Sequence, residues 1–182
     1  MTFTEGDIAG SYVIDLQKYG DDRGFFARVF CQDEFADHGL PRDMVQMNLS
    51  YSAMKGTLRG LHFQVAPHEE AKYIRCTRGA VYDVTVDVRP SSPTFKQWMG
   101  VELTQENYRM VYVPEGCAHG YLTLVDDSEV NYQVSAFYAP EAERGLRYDD
   151  PAIGIEWPTD VRVVSKKDRS WPAFDERVRA SI

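Results

Sequence analysis

Residues 78–88 read RGAVYDVTVDV, a turn signal followed by a run in which two kinds of side chain alternate. Successive side chains of a β-strand point to opposite faces, so this period of two predicts a strand. The side chains predicted to face the core are those of Ala80, Tyr82, Val84, Val86 and Val88. The alternate set, predicted to lie on the opposite face, is Val81, Asp83, Thr85 and Asp87.

The same arrangement of a turn and an alternating segment recurs along the chain. Turn residues precede FFARVF at 25–30, CAHGYLTLV at 117–125 and SEVNYQVSAFY at 128–138. Many short strands at this spacing indicate an all-β sandwich or barrel. Helix is predicted only at 32–39, with Gly39 as a C-cap, and at 175–182. No repeat or linker interrupts the sequence, so a single domain over 1–182 is expected.

Composition narrows the classes of partner. The chain has 182 residues, with 20 Lys and Arg against 28 Asp and Glu, and a formal net charge of −8. This balance argues against binding to nucleic acid or to an anionic membrane. An anionic ligand would need a local cluster of Arg and Lys.

Compartment is indicated by the cysteines and the apolar runs. Cys31, Cys76 and Cys117 are odd in number and form no C-x-x-C pair, which argues against a disulfide framework and a zinc knuckle and suits a reducing cytosol. No signal-peptide pattern is present, and no apolar run reaches the ~18 residues that span a bilayer. A cytoplasmic protein is expected.

The first stretch with chemical potential is GTLRGLHFQVAPHEEAKYIRCTRG at 56–79. A hairpin centred on Pro67 would place His62 directly opposite Lys72. An imidazole beside an ammonium that can stabilise an oxyanion suits proton abstraction from carbon. The alternative is a solvated pair without function.

The second stretch is VPEGCAHGYLTL at 113–124, which ends its P-x-G-x-x-H pattern at His119. Together with the G-x5-H pattern that ends at His62, it resembles the two motifs of cupins. In metal-binding cupins the first motif continues H-x-H, whereas here Gln64 occupies the position of the second ligand. Two imidazoles without a carboxylate are too few for a durable Zn or Fe site, so no metal is predicted.

A more specific resemblance covers nearly the whole chain. The blocks that carry it are QMNLSYSAMKGTLRGLHFQ (46–64), AKYIRCTRGAVYDVTVDVRPSSPTF (71–95), VPEGCAHGYLTL (113–124), YDDPAIGIEWP (148–158) and SKKD (165–168). In this order they resemble the dTDP-4-dehydrorhamnose 3,5-epimerase family. The resemblance implies a cupin jelly roll, a homodimer that exchanges N-terminal strands, no metal or other cofactor, and a nucleotide-sugar substrate.

The resemblance also implies catalytic roles at matching positions. His62 would be the general base with Asp168 as its orienting carboxylate, Lys72 would hold the enolate oxygen, and Tyr132 would be the acid on the opposite face of the sugar. This set agrees with the chemistry, because C3 and C5 both flank the C4 ketone and either deprotonation gives an enolate. Tyr132 also stands in the alternating row Val130, Tyr132, Val134, Ala136 and Tyr138, so core packing is its alternative role.

The substrate-binding positions are implied in the same way. Residues matching diphosphate contacts or their neighbours are Arg23, Arg59 and Lys167, and charge-assisted bonds from Arg to phosphate oxygens are strong. Residues matching the pocket lining or the surroundings of the base are Gln46, Asn48, Phe26, Tyr138 and, at the second motif, His119. Arg28 departs from the family, which has a glutamate near the pyrimidine ring at this position. Arg28 either faces the ring or turns outward or towards the phosphates.

Several functions remain open at this level. The leading hypothesis is a metal-independent epimerase acting on a dTDP-4-keto-6-deoxyhexose in deoxysugar biosynthesis, and a CDP-linked substrate is the alternative raised by Arg28. Inversion of C3, C5 or both is not distinguished, because mono-epimerases of the family keep the same acid, base and lysine. A metal-dependent cupin oxygenase or isomerase, which Gln64 argues against, and a non-catalytic sugar-nucleotide-binding cupin are the other candidates.

Overall fold

The structure is a computed structural model that describes residues 1–174. Within these residues the chain forms fourteen strands and two short helices. The strands are β1 (Thr2–Glu5), β2 (Tyr12–Asp15), β3 (Lys18–Asp21), β4 (Gly24–Ala27), β5 (Gln46–Ser52), β6 (Thr57–Gln64), β7 (Lys72–Arg78), β8 (Ala80–Asp87), β9 (Trp98–Thr104), β10 (Met110–Val113), β11 (Cys117–Thr123), β12 (Ser128–Val134), β13 (Glu143–Gly145) and β14 (Val163–Val164). The helices are α1 (Gln32–Ala36) and α2 (Lys166–Arg169). The helix predicted at 175–182 lies outside the described residues.

Two sheets face each other. The first has the strand order β1-β2-β10-β7-β12-β5, and the second has the order β13-β6-β11-β8-β9, with β14 added parallel to β6. Neighbouring strands along both orders are antiparallel, and many are far apart in sequence, as in a jelly roll. The predicted all-β cupin architecture is confirmed. The hairpin β3–β4 forms a separate small sheet.

The predicted turns lie between strands. Gly24, Gly79 and Gly116 all have positive φ, and Gly79 makes the tight connection from β7 to β8 with a φ of 72°. A side chain is strained in that conformation, which is why glycine stands there. The predicted helix at 32–39 is confirmed as α1, after which Gly39, with a φ of 70°, ends the turn by donating to the Ala36 carbonyl.

The predicted strand β8 is confirmed, but the face that points to the space between the sheets is not the predicted one. Val84, Val86 and Val88 are fully buried, yet they lie beside Leu61 on the outer face of their own sheet, under a cover that includes Ile153 and Phe174. The alternate set, which the sequence analysis placed away from the core, is buried as well and faces the space between the sheets: Val81, Asp83, Thr85 and Asp87. The C-terminal segments cover the outside of the second sheet, so the polar face of the strand is the inner one.

The pairing predicted between β6 and β7 is wrong. Strand β6 pairs with β11 and β13 in the second sheet, whereas β7 pairs with β10 and β12 in the first. The segment 65–71 crosses from one sheet to the other instead of forming a two-stranded hairpin. His62 and Lys72 therefore lie on facing sheets and not on neighbouring strands.

None of the helices within residues 1–174 is long and apolar enough to cross a membrane.

Candidate active site

A cavity of about 790 Å³ lies between the two sheets at one end of the jelly roll. The opposite part of the inter-sheet space is filled by an apolar cluster that includes Ile74, Val111 and Leu103. Most of the predicted site residues line this cavity: Gln46, Asn48, Arg59, His62, Lys72, His119, Tyr132, Tyr138, Lys167 and Asp168. The fold thus gathers side chains that stand up to 122 positions apart, from Gln46 to Asp168 (168 − 46 = 122).

His62 forms a dyad with Asp168. The imidazole Nε2 lies 2.7 Å from Oδ1 of Asp168, whose side chain is almost fully buried. Two further contacts fix this aspartate: its backbone N–H donates to Oγ of Ser165, the N-cap of α2, at 3.0 Å, and the Gly60 N–H approaches Oδ2 at 3.4 Å. His62 and Asp168, which the resemblance pairs, thus form an oriented unit built from β6 and α2.

The charge state of Asp168 determines the tautomer of His62. Burial raises the pKa of this carboxyl, but the hydrogen bond and charge of His62 oppose burial and hold the pKa below its usual value. An ionised carboxylate can only accept a hydrogen bond, so Nε2 of His62 donates and Nδ1 keeps the lone pair. The dyad therefore leaves one ring nitrogen able to accept a proton.

Lys72 approaches the site from the facing sheet. Its Nζ lies 3.5 Å from the backbone oxygen of His62 and 2.8 Å from Oε1 of Glu70, and both charged side chains are nearly buried. Glu70 also lines the cavity and was not identified from the sequence. This salt bridge places the Lys72 ammonium inside the cavity, near the backbone oxygen of His62.

Tyr132 stands on β12 of the same sheet as Lys72. Its side chain lines the cavity and packs against the edge of the inter-sheet cluster. Burial is the main factor that raises the pKa of this phenol, with contributions from Tyr121 and Glu70. Within residues 1–174 its hydroxyl makes no hydrogen bond, whereas the neighbouring Tyr121 donates to Ser50. The phenol of Tyr132 is therefore neutral and available, which favours a role at the site over core packing alone.

His119, which lines the cavity, forms a second histidine–aspartate pair. Nε2 of His119 lies 2.8 Å from Oδ2 of Asp83, which is 1% exposed. The sequence predicts His119 as a site residue, but it predicts Asp83 on the face of β8 that points away from the core. The sequence held no signal for this pair, because a polar row of Asp83, Thr85 and Asp87 alternating with valines is the ordinary pattern of a strand with one solvent-exposed face.

The mouth of the cavity carries a cluster around Glu143, which was also not identified from the sequence. Its carboxylate accepts from Nζ of Lys167 at 2.6 Å and from the Tyr138 hydroxyl at 2.8 Å. Burial alone would raise the pKa of Glu143, but these two hydrogen bonds hold it below its usual value. The backbone N–H of Tyr138 donates to Gln46 at 3.0 Å, although β12 ends at Val134 and does not extend to Tyr138 as the alternating row suggested.

Three predicted substrate-binding residues lie outside the cavity of this chain. Arg23 and Phe26 belong to the β3–β4 hairpin, and Arg28 follows it. The Arg23 side chain is 89% exposed and pairs with Asp21, while Phe26 is 66% exposed. A single chain thus does not bring these residues to the dyad.

Gln64 has a structural role. Its side-chain nitrogen donates to the backbone oxygens of His68 and Phe137, and its side-chain oxygen accepts from the Ala139 N–H. With its amide occupied in this way, the residue that replaces the second motif ligand is not free to bind a metal. No group of three or more His, Cys, Asp or Glu side chains within residues 1–174 has an arrangement suited to a metal ion.

Comparisons with known proteins agree with this geometry. Residues 5–176 match the profile of the family described as dTDP-4-dehydrorhamnose 3,5-epimerase. A protein of that name from Sinorhizobium fredii is 48% identical over 177 residues, which cover 97% of this chain and 91% of the relative.

Two solved structures show how closely the fold is shared. The dTDP-4-dehydrorhamnose 3,5-epimerase of Bacillus anthracis, with TDP and PPi bound, matches with a TM-score of 0.91 and 40% identity, over 95% of this chain and 99% of that chain. The dTDP-6-deoxy-D-glucose-3,5-epimerase of Legionella pneumophila, in complex with dTDP-4-keto-L-rhamnose, matches with a TM-score of 0.88 and 37% identity, over 94% of this chain and 92% of that chain. With its jelly roll, its His62–Asp168 dyad and a family match over almost its whole length, the chain belongs to the dTDP-4-dehydrorhamnose 3,5-epimerase family.

Proposed function

We propose that this protein epimerises C3, C5 or both in a dTDP-4-keto-6-deoxyhexose, as a step of deoxysugar biosynthesis. The observation that carries the proposal is the convergence of the His62–Asp168 dyad, from one sheet, with Lys72 and Tyr132, from the facing sheet, on one cavity. The names of the relatives point to the same substrate class, and the cavity is within the size range of small-molecule sites.

The proposed mechanism has two proton transfers at each carbon. Nδ1 of His62 takes the proton from C3 or C5, and the electron pair of the C–H bond moves into an enolate whose charge rests on the C4 oxygen. The Lys72 ammonium stabilises that oxyanion for either carbon, since both flank the same ketone. The Tyr132 phenol then gives a proton to the opposite face of the carbon, which inverts the centre.

The nucleotide end would occupy the mouth of the same cavity. Arg59 and Lys167 supply the cations for a diphosphate, and Gln46, Asn48 and Tyr138 supply polar and aromatic groups nearby. His119, whose Nε2 is paired with Asp83, would accept a hydrogen bond from a sugar hydroxyl at Nδ1. Of the two cations, Lys167 already pairs with Glu143, so Arg59, which has no carboxylate partner among residues 1–174, is the main local positive charge in a protein with a net charge of −8.

We further propose one cupin domain over residues 1–182 and a homodimer with exchanged N-terminal strands. The exposed hairpin that carries Arg23 and Phe26 supports this, because these side chains can reach a cavity only on another molecule. An apolar row on the outer face of the edge strand β5 gives association a surface: Met47, Leu49 and Tyr51. Free thiols at all three cysteines fit the cytoplasm as the compartment.

Mixing two inactive variants tests the exchanged dimer. We expect Arg23→Ala and His62→Ala proteins, unfolded and refolded together, to recover activity that neither shows alone. In a mixed dimer one cavity receives an intact hairpin and keeps an intact dyad. Mixtures that stay at the sum of the two separate activities would show that Arg23 does not act on the partner's cavity.

The test of the reaction itself uses EDTA-treated protein and dTDP-4-keto-6-deoxyglucose in D₂O. We expect deuterium at C3, C5 or both, together with an inverted product, because the proposed steps use side chains only. Recovery of activity only after addition of Zn or Fe would instead support the metal-dependent cupin. Binding of the sugar nucleotide without any exchange would support the non-catalytic alternative.

Arg28 gives a prediction about the nucleotide. Thymine presents N3–H as a donor, which suits the family's glutamate, whereas cytosine presents a bare N3 that an arginine can satisfy. An unpaired buried donor costs ~1–3 kcal/mol, so Arg28→Glu should raise the kcat/KM preference for the dTDP over the CDP form of one keto sugar by roughly 5–150-fold. An unchanged ratio would mean that Arg28 turns outward or towards the phosphates and that another group reads the base.

A further inference from the structure

Trp171 lies beside the proposed base but takes no part in the proposed proton transfers. Its indole meets the imidazole of His62 edge to face, with ring centroids 6.1 Å apart and an interplanar angle of 66°. It stands three positions after Asp168, directly beyond the end of α2. The carboxylate and the indole on the two sides of this turn therefore both contact His62.

Glycine at position 145 makes room for the indole. A methyl group on Gly145 would overlap three ring atoms of Trp171, so the ring rests on the backbone of β13. Gly145 is the residue of β13 that pairs with His62 in the sheet. The indole is thus held between β13, which pairs with the strand of the base, and the turn that carries Asp168.

A second contact joins the same two segments. Lys167 of α2 makes its salt bridge with Glu143 of β13 at 2.6 Å, and its ammonium lies 5.8 Å from the centre of the Trp171 ring. We name the set Trp171, Lys167, Gly145 and Glu143 the α2–β13 clamp. Together with the pairing of β14 on β6 and the hydrogen bonds of Asp168 to His62 and Gly60, this clamp holds the four-residue helix α2 against the second sheet.

We propose that Trp171 is a positioning residue, which holds the Asp168 carboxylate and the His62 imidazole in hydrogen-bonding geometry by packing between α2 and Gly145. Packing and not polarity carries this role, since the indole Nε1 is buried without a hydrogen-bond partner among residues 1–174. The kinetic consequence rests on the proposed function, because it concerns the base of the epimerisation. Small displacements of catalytic groups have large kinetic effects.

The kinetic test is a set of substitution cycles. Trp171→Ala should lower kcat by about 10–100-fold with little change in KM, and Trp171→Phe should retain most of kcat. Gly145→Ala should act like Trp171→Ala, yet add little to it in the double variant, because both disturb one contact. Trp171→Ala should also add little in an Asp168→Asn background. Full additivity with Asp168→Asn, or a wild-type kcat in Trp171→Ala, would overturn the proposal.

Trp157 offers a matched control. It is another partly buried tryptophan of the outer layer, and its indole N–H donates to the Tyr148 backbone oxygen at 2.9 Å. Trp157→Ala should lower the melting temperature without changing kcat. If Trp171→Ala proves insoluble, Trp171→Leu keeps the protein packed while removing the flat ring, and the same cycles apply.

A measurement without substrate separates this inference from the proposed function. The Nε2–H of His62 in a hydrogen bond to a carboxylate should give a downfield proton NMR signal, identified by its loss in Asp168→Asn. We expect the signal in the wild type, Trp171→Phe and Trp157→Ala, and its loss or broadening in Trp171→Ala. An unaltered signal in Trp171→Ala would overturn the positioning role, whatever substrate the enzyme uses. If the His62 Nε2–H signal behaves as expected in every variant but the protein converts no substrate, only the proposed function is contradicted.

Discussion

Replacing His62 by alanine will abolish exchange of the C3 and C5 protons with solvent deuterium. The proposed mechanism uses one base for both carbons, and general-base assistance is typically worth about 10²–10⁴-fold, or ~3–5 kcal/mol. Deuterium incorporation followed by NMR measures each carbon separately. Both rates should fall together, and the affinity for the nucleotide should change little because the proposed diphosphate contacts, Arg59 and Lys167, are other side chains of the cavity.

The exposed His68 provides the control for this substitution. It lies outside the cavity lining, and its imidazole is 43% exposed, so His68→Ala should exchange both protons at the wild-type rate. Asp168→Asn should give a smaller loss than His62→Ala, since the base remains but its tautomer is no longer enforced. Loss of exchange at only one carbon in His62→Ala would mean that a second base serves the other.

Tyr132→Phe will separate exchange from inversion. His62 can still remove a proton and return deuterium to the same face, but without the phenol no group protonates the opposite face. Net inversion should therefore fall by about 10²-fold or more, while exchange continues at a rate within a few-fold of wild type. Because burial raises the pKa of Tyr132, the phenol stays protonated across the working pH range and the effect should not depend on pH there.

Tyr73→Phe controls for loss of a buried phenol. Tyr73 is buried in the cluster that packs α1 against the first sheet, away from the cavity, and it donates only a long hydrogen bond of 3.4 Å to Pro41. This variant should retain both exchange and inversion. Inversion at the parental rate in Tyr132→Phe would remove Tyr132 from the mechanism and leave it a packing role.

Features of the fold that depend only on residues close together in the sequence could be predicted from the sequence. The alternation of 80–88 predicted β8, and the positive φ of Gly79 and Gly116 matches the turns expected beside them. These features follow from the period of side chains in a strand and from the steric freedom of glycine. Both act within a few residues and need no knowledge of the partner strand.

Strand pairing could not be predicted in this way. The segment around Pro67 reads equally well as a hairpin turn and as a crossover between sheets. The hairpin would pair the two strands, but the structure places His62 and Lys72 on facing sheets. The choice depends on β11 and β12, which lie more than 40 residues further along the chain and pair with β6 and β7.

The residues of the site likewise divide into those predicted from the sequence and those that only the structure shows. The resemblance indicated His62, Lys72, Tyr132 and Asp168, but single residues gave no reason to connect Asp168 with a histidine 106 positions earlier. Four residues that contact predicted site residues could not be identified from the sequence for the same reason: Asp83, Glu70, Glu143 and Trp171. Each has an ordinary sequence context, and its role depends on the residue that it contacts in the folded chain.

Local periodicity and turn residues were enough to predict the strand class and the turns, and the resemblance of the sequence blocks was enough to predict the family and the proposed site residues. Only the assembled fold shows which face of β8 points inward, which sheet carries Lys72, and that Asp168 and Trp171 both contact His62. These features depend on strand pairing and packing between segments that are far apart in the sequence. Such packing determines both which faces of a strand are buried and which distant segments are in contact.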